Sequence, residues 1–521
     1  MKNFKRILIV VLSFVMLFSL ASCTPKLEGG DKNAEVSGNG SLVVRQGDYI
    51  YFVNGMTSEA LIQDDAEAKL EPVKGAILRQ KINASTGALE GNPETVVKEA
   101  LFTTYKGGGI YIFDEWIYYV TPNTGKNKSG TMLMTQTLLK RTKIDGSKTK
   151  TIATLKDNDS FKSGFEFKVT RNYFFYLDSG KLQAIDLQKN NFKVTTVAED
   201  VTGMIIPKAD TYKPNSNPGI FDYVIFTQSS EEEVTGLSHN IVKMTNGTDT
   251  RTLISDSAYF ENPNGGWIAN IKSIYNYSVV SAGYEGNDLI VYLNKNRVAP
   301  NNGTEEAEGL FEYRFKESEG YAFKKENAYR VSKISLTAFL PLGYGKGVLT
   351  SDSSANGILY YKGTTNLDTS NADSVPKPVK VYGAAVNLLT VGGNVDSGII
   401  YLYYTDGSES GALKRVKADV NNGSSPDDDY AGYKPAGNNQ ILIRSDVTVS
   451  WMQPVFRTYG SATYFYFIYA YDYNYLARIK INPSDSPSIA DHDDRGEYSK
   501  ISTLGIFSDA DKKLFDERAN A

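Results

Sequence analysis

The sequence predicts an all-β protein built by repeating one antiparallel hairpin, and three observations lead there. The chain of 521 residues holds 35 Tyr, 24 Phe and 45 Gly, so aromatic strand formers and turn formers are both abundant. Short Val/Ile/Tyr runs recur along its length, with almost no stretch of helical periodicity. The clearest run, Ile399–Asp419, sets two such arms around a polar turn: Ile399–Thr405, then Asp406-Gly407, then Ala412–Lys417. Asp-Gly suits the positive φ of a tight turn, and the second arm alternates apolar and basic residues as a strand with one wet face does.

Taken in order, the chain opens with Lys2, Lys5 and Arg6 and a mostly apolar run from Ile7 to Leu20. A basic start before an apolar segment too short to span a bilayer predicts a secretory signal peptide over 1–22. The run ends in Leu20-Ala21-Ser22-Cys23, and Cys23 is the chain's only cysteine. These four residues resemble a bacterial lipobox. That resemblance implies diacylation of the Cys23 thiol, cleavage just before it, and a membrane anchor on the extracytoplasmic face. A single Cys leaves no internal disulfide, so stability has to come from a large core. Loss of the signal removes three bases and no acid, taking the net charge from −4 to −7. That balance argues against nucleic acid and against adhesion to anionic lipid through a basic patch. The polar stretch from Thr24 predicts a flexible tether, so 23–40 reads as lipidated Cys plus leash.

Eight hairpins follow. The first pairs Asp48–Asn54 with Ala76–Ile82, and the second Trp116–Val120 with Leu138–Thr142, ending in Thr149–Leu155. Tyr173–Leu177, Lys181–Leu187 and Lys193–Val197 form the third; Tyr223–Thr227, Ile241–Thr245 and Arg251–Ile254 the fourth. Asp288–Leu293 precedes Leu310–Phe315 in the fifth, and Gly357–Lys362 leads the sixth with Val379–Tyr382 as its return. Ile399–Asp419 is the seventh. Tyr464–Ala470 with Leu476–Ile481 is the eighth, and Tyr498–Thr503 is expected as its last strand. Polar insertions such as Pro122–Gly130, Ser229–Ser238 and Asn421–Asn439 stretch the repeat, and loops tolerate that length at little cost. A lone hairpin cannot bury its apolar face, and packing four-stranded sheets radially leaves only short edges. The segment 41–503 is therefore expected to be one β-propeller of eight blades, with seven as the alternative and a pair of β-sandwiches as the rival architecture. The charged segment 504–521, with Leu514 and Phe515 as its apolar contacts, is expected as a C-terminal extension forming a short helix.

The copies Tyr403-Tyr404-Thr405-Asp406 and Ile117-Tyr118-Tyr119 with Arg141–Ser147 resemble the low-density-lipoprotein-receptor type of propeller, whose repeat centres on Y-W-T-D. Here the hallmark Trp is Tyr404. The chain is also similar to bacterial lipoproteins carrying a domain of unknown function of this type. The resemblance implies a binding module with no shared chemistry.

The residues point to no catalytic set. His239 and His492 are both read as solvated surface histidines, and a zinc site needs three or four convergent ligands. No G-x-S-x-G, H-E-x-x-H or P-loop pattern occurs, and Ser147–Lys150 matches S-x-x-K only by spacing after a hairpin turn. Asp427–Asp429 and Asp491–Glu497 lack the spacing of a calcium loop and read as solvated. No metal and no cofactor is expected. Three aromatics stand just ahead of innermost strands and are the candidate ligand contacts: Tyr105, Trp267 and Trp451. Connections of that kind surround the mouth of a propeller channel, where an exposed ring stacks on a sugar or clamps a peptide; the alternative for each is a buried plug between blades. The expectation is a non-catalytic binder of a protein or glycan. The rivals are a propeller hydrolase or lyase acting on polysaccharide, and a scaffold in envelope assembly.

Overall fold

The structure is a computed structural model. It describes the chain between Lys26 and Ile481 except residues 56–74, 100–108, 124–127, 130–135, 156–165, 209–210, 215–218, 232–237, 256–274, 299–307, 363–374, 376, 407–411, 422–440, 445–446, 449–454, 461 and 470–474. The expected signal peptide, Cys23, the expected last strand Tyr498–Thr503 and the C-terminal extension lie outside the described residues.

The described residues form eight antiparallel sheets. In the first, Val43–Gln46, Tyr49–Val53, Ile77–Ile82 and Leu89–Val97 pair in sequence order. The second runs Tyr111–Phe113, Trp116–Pro122, Thr137–Lys143, Thr149–Leu155; the third Phe167–Val169, Tyr173–Asp178, Lys181–Asp186, Val194–Ala198. Val201–Ile205, Val224–Glu231, Ser238–Thr245 and Thr250–Ile254 make the fourth, and Tyr275–Glu285, Asp288–Arg297, Gly309–Phe315 and Ala328–Ser332 the fifth. The seventh is Asn387–Asn394, Ile399–Asp406, Ala412–Asp419, Ile441–Arg444. In the eighth, Val447–Thr448 and Val455–Tyr459 both pair with Ala462–Tyr469, which pairs Tyr475–Ile481. The expected hairpins are the second and third strands of these sheets.

The sixth sheet differs from expectation. Gly357–Tyr361 stands third, not second, because Leu340–Pro341 and Val348–Asp352 precede it. The turn between Val348–Asp352 and Gly357–Tyr361 is short and polar, so the two strands read as one interrupted run in sequence.

First strands lie innermost, and Tyr111–Phe113 is wholly buried, whereas the fourth strand Val194–Ala198 is half open to water. Each sheet packs on the next. Tyr111 meets Phe167 of the third sheet at 6.0 Å between ring centroids, and Phe175 of the third sheet shares a core with Phe226 of the fourth. Ile225 packs with Tyr277 of the fifth sheet, and Tyr292 meets Phe339, just before the sixth, at 5.5 Å. The Tyr382 and Tyr404 hydroxyls join the sixth to the seventh at 2.8 Å, and Tyr403 meets Phe456 of the eighth at 4.7 Å. The ring closes: Tyr464 donates to the Thr86 carbonyl at 2.9 Å and Arg478 to that of Gly87 at 2.7 Å. At this seam Gly87 has φ +68°, and a Cβ there would lie 2.6 Å from the rings of Tyr459 and Tyr464. Only glycine meets both demands. The architecture is a β-propeller.

The expected leash behaves otherwise from Lys26 onward. The Leu27 N–H donates to Asp145 O, and the Glu28 and Gly29 carbonyls accept from Arg79. Val36–Ser37 then pairs with both Val43–Gln46 and Thr211–Tyr212, extending the first sheet inward past its innermost regular strand. Tyr212, at the end of that ladder, donates to Asp114 and packs edge-on against Phe113 and Phe221. The stretch is polar enough to read as a leash, but its main-chain groups find partners on the first two sheets.

Candidate binding face and cavity

Because neighbouring strands alternate in direction, connections from second to third strand, and from fourth strand to the next first strand, emerge on one face of the ring. Turns from first to second and from third to fourth emerge on the other. The connections in which Tyr105 and Trp267 stand, between Val97 and Tyr111 and between Ile254 and Tyr275, are of the first kind. Trp451 falls between Val447–Thr448 and Val455–Tyr459. All three aromatics lie outside the described residues.

On that face, where the inner strands of the third, fourth and fifth sheets begin, lies a cavity of about 320 Å³. Its polar lining is Glu166, Thr202, Thr227, Asn240 and Ser278, with Met204, Ile225 and Val279 among its apolar walls. Two irregularities shape it. The register of Val201–Ile205 against its neighbour shifts between Val201 and Gly203, and that of Tyr275–Glu285 shifts between Val279 and Ser281. Such bulges bend a strand and re-aim its side chains, and they recur beside binding sites. Gly203 also lines the cavity, and a Cβ placed on it would meet nothing within 4 Å.

The electrostatics are nearly balanced. The Glu166 carboxylate lies 3.9 Å from the Lys168 ammonium. Burial pushes Lys168 below the usual lysine range, while the Glu166 charge pulls the other way. The Thr202 hydroxyl donates to Thr227 O at 3.3 Å and keeps its acceptor lone pairs. The lining therefore offers one carboxylate, three hydroxyls and one amide. It can bind and orient a polar ligand. A glycosidase pair needs a second carboxyl group about 5–10 Å away, and among the described lining residues there is only one.

A larger cleft, about 600 Å³, lies beside the docked N-terminal stretch and is lined by Lys26, Glu28, Lys32, Glu115, Lys143 and Asp145. Its charges pair with one another, Lys143 with Glu115 at 2.8 Å and Lys26 with Asp145 at 3.6 Å. That leaves less unsatisfied charge for a ligand than the cleft's size suggests.

His239, expected on the surface, is 5 % exposed on the third strand of the fourth sheet, opposite Ser230, and its Nδ1 makes no hydrogen bond. The strand continues to its first residues, which draws His239 inside. His492, Asp427–Asp429 and Asp491–Glu497 lie outside the described residues, and among the described residues no three His, Cys, Asp or Glu side chains converge to hold a metal. Sequence reasoning missed Glu166, Thr202, Asn240 and Ser278. They are spread over more than a hundred positions with no motif; the one available cue was an acid standing directly before an innermost strand.

No family model matches the chain, and no curated protein matches it. Among solved structures it is similar to a prolyl endopeptidase at 10% identity and TM-score 0.38, covering 84% of this chain and 55% of that one. The chain thus spans about half the length of that enzyme. It is also similar to a eukaryotic initiation factor at 10% identity and TM-score 0.32, covering 77% of this chain and 89% of that one. The β-propeller domain of Myceliophteria thermophila Cps50 (Swd1) aligns at 9% identity and TM-score 0.31, covering 71% and 93%. At such distances these likenesses carry nothing about a ligand or a reaction.

Proposed function

We propose that the chain is a lipid-anchored extracytoplasmic β-propeller acting as a non-catalytic binding module for a protein or glycan. The observation that carries the reading is the polar cavity at the starts of the inner strands, on the face where the connections bearing Tyr105 and Trp267 emerge. A preformed surface with a few anchoring contacts suffices for binding, whereas catalysis demands placed acids or bases as well. The resemblance of Tyr403–Asp406 to the receptor-type repeat, and of Leu20–Cys23 to a lipobox, supports the same reading. With Leu27 hydrogen-bonded to Asp145 on the ring, a lipid on Cys23 would hold the propeller within about 14 Å of the bilayer, since four residues reach little further.

The test is a screen of cell-wall glycans and surface proteins with the Thr24–Ala521 fragment, alongside Trp267→Ala and Trp451→Ala. Loss of one stacking anchor should cost about 2 kcal/mol, roughly thirtyfold in affinity, with the fold retained. Turnover of a glycan would refute the non-catalytic half, and unchanged binding in both variants would remove the aromatic contacts. For the anchor, Cys23→Ala should move the protein out of the membrane fraction; an unmodified Cys23 in membrane-bound protein would end that part.

A further inference from the structure

We propose that the cavity between the third, fourth and fifth sheets is a subsite for a single neutral sugar residue, a free monosaccharide or the terminal residue of a glycan. The inference rests on the binding reading above and narrows it from protein or glycan to one ligand chemistry at one place.

Size is the first argument. At about 320 Å³ the cavity stands at the lower end of the range for small-molecule sites. It has room for one sugar ring, free or at the end of a glycan.

Charge is the second. Among the described lining residues Glu166 alone carries a charged side chain, and Lys168 stands 3.9 Å from it. The pair sums to zero, so neither a cation nor an anion gains a net Coulombic attraction. A carboxylate carries about four lone-pair sites in all, more than one ammonium contact takes up, and sugar hydroxyls are donors to such oxygens.

The third argument is the balance of donors and acceptors. Thr202, Thr227, Ser278 and Asn240 each carry both functions, as sugar hydroxyls do, whereas a purely anionic ligand needs donors and an ammonium needs acceptors. Met204, Ile225 and Val279 supply apolar wall for the C–H face of a pyranose ring. A hydroxyl-matched site of this kind discriminates strongly, because a missing hydroxyl leaves a buried polar group unpaired.

Gly203 makes the proposal testable without damage to the fold. Although the register shifts beside it, its φ lies outside the left-handed region that favours glycine, and a Cβ added there meets nothing within 4 Å. The full chain, purified in detergent, should be titrated calorimetrically with glucose, galactose, mannose and N-acetylglucosamine, with glucosamine as the cationic comparator. At least one neutral sugar should bind. Gly203→Leu should weaken it about tenfold or more with an unchanged melting temperature, and Glu166→Gln should weaken it by a similar factor. No neutral sugar binding at about 10 mM would overturn the proposal. So would equal binding by a folded Gly203→Leu variant, or glucosamine binding about tenfold more tightly than glucose. If Gly203→Leu fails to fold, unchanged sugar binding by Glu166→Gln overturns it instead. A glycan or protein that binds wild type and folded Gly203→Leu alike would leave the binding-module reading standing and remove only this subsite. Absence of any ligand would remove both.

Discussion

In the arc formed by the eighth, first and second sheets, an arginine on the third strand grips the next sheet by a backbone carbonyl; in the fifth sheet the same position holds an acid. Arg478, Arg79 and Arg141 donate to the carbonyls of Gly87, Ile144 and Leu187, each in the connection between the third and fourth strands of the following sheet. Each arginine is the register partner of a second-strand tyrosine, Tyr466, Tyr51 and Tyr118. Each also stacks over the aromatic two residues earlier: Tyr464 at 4.4 Å, Tyr49 at 4.6 Å and Trp116 at 4.3 Å. In the fifth sheet the partner of Tyr292 is Glu312. It accepts from the Tyr292 hydroxyl at 2.7 Å and from Gly345 N–H of the sixth sheet at 3.2 Å. Both solutions satisfy backbone groups of the next sheet. The guanidinium does so at every pH; the carboxyl group pays for its burial, which the hydrogen bonds from Tyr292 and Gly345 offset only in part. Burial lifts Glu312 to about 7. The arginine arc also spans the seam, where the eighth and first sheets are held only by noncovalent contacts.

The largest expected effect comes from breaking the arginine side of this comparison. Arg79 is fully buried and donates to Glu94, Glu28, Gly29 and Ile144. Arg79→Ala should cost on the order of 3–5 kcal/mol in a denaturant titration, through orphaned carbonyls and lost stacking on Tyr49. A loss below about 1 kcal/mol would mean that the latch contributes nothing beyond packing.

Next comes the acidic side. The folded value of Glu312 lies above that of an exposed carboxyl group, so the folded state keeps its proton longer than the unfolded chain. The contribution from this group is fully present below about pH 4.5 and is lost as pH rises through about 7, by an amount on the order of 3 kcal/mol. Glu312→Gln should flatten the decline in stability between pH 5 and about 8, while Arg79→Lys should not. A wild-type stability that rises over this window, with Glu312→Gln unchanged in slope, would show that the carboxyl group is already ionised at low pH.

The smallest effect is expected at the junction of the sixth and seventh sheets, where two neutral hydroxyls meet. Tyr382→Phe removes the bond to Tyr404 and should cost about 1 kcal/mol, with no pH dependence, by thermal melts across the same range.

Much of this was legible. The aromatic-x-Tyr pattern at Tyr49/Tyr51, Trp116/Tyr118 and Tyr464/Tyr466, with an Arg on the return strand, is the same hairpin written three times, and Tyr401/Tyr403 with Arg415 is a fourth copy. The Tyr404 side chain is used in the same way between sheets, its hydroxyl meeting that of Tyr382 at 2.8 Å. Innermost strands were harder to see. Tyr111–Phe113 and Phe167–Val169 are three residues each, too short for a period to register.

The sequence by itself determined the all-β class, the hairpin arms and the turn residues, because β-propensity, period-two patterning and Asp-Gly chemistry are local properties. Tertiary structure alone decided the rest. It seated 26–37 on the ring, since a polar stretch binds or floats according to which backbone groups stand opposite it. It buried His239 and turned Glu312 into a titrating latch through neighbours far away in the chain. It also brought Glu166, Asn240 and Ser278 to one cavity, because a binding site depends on convergence in space and no short-range pattern records it.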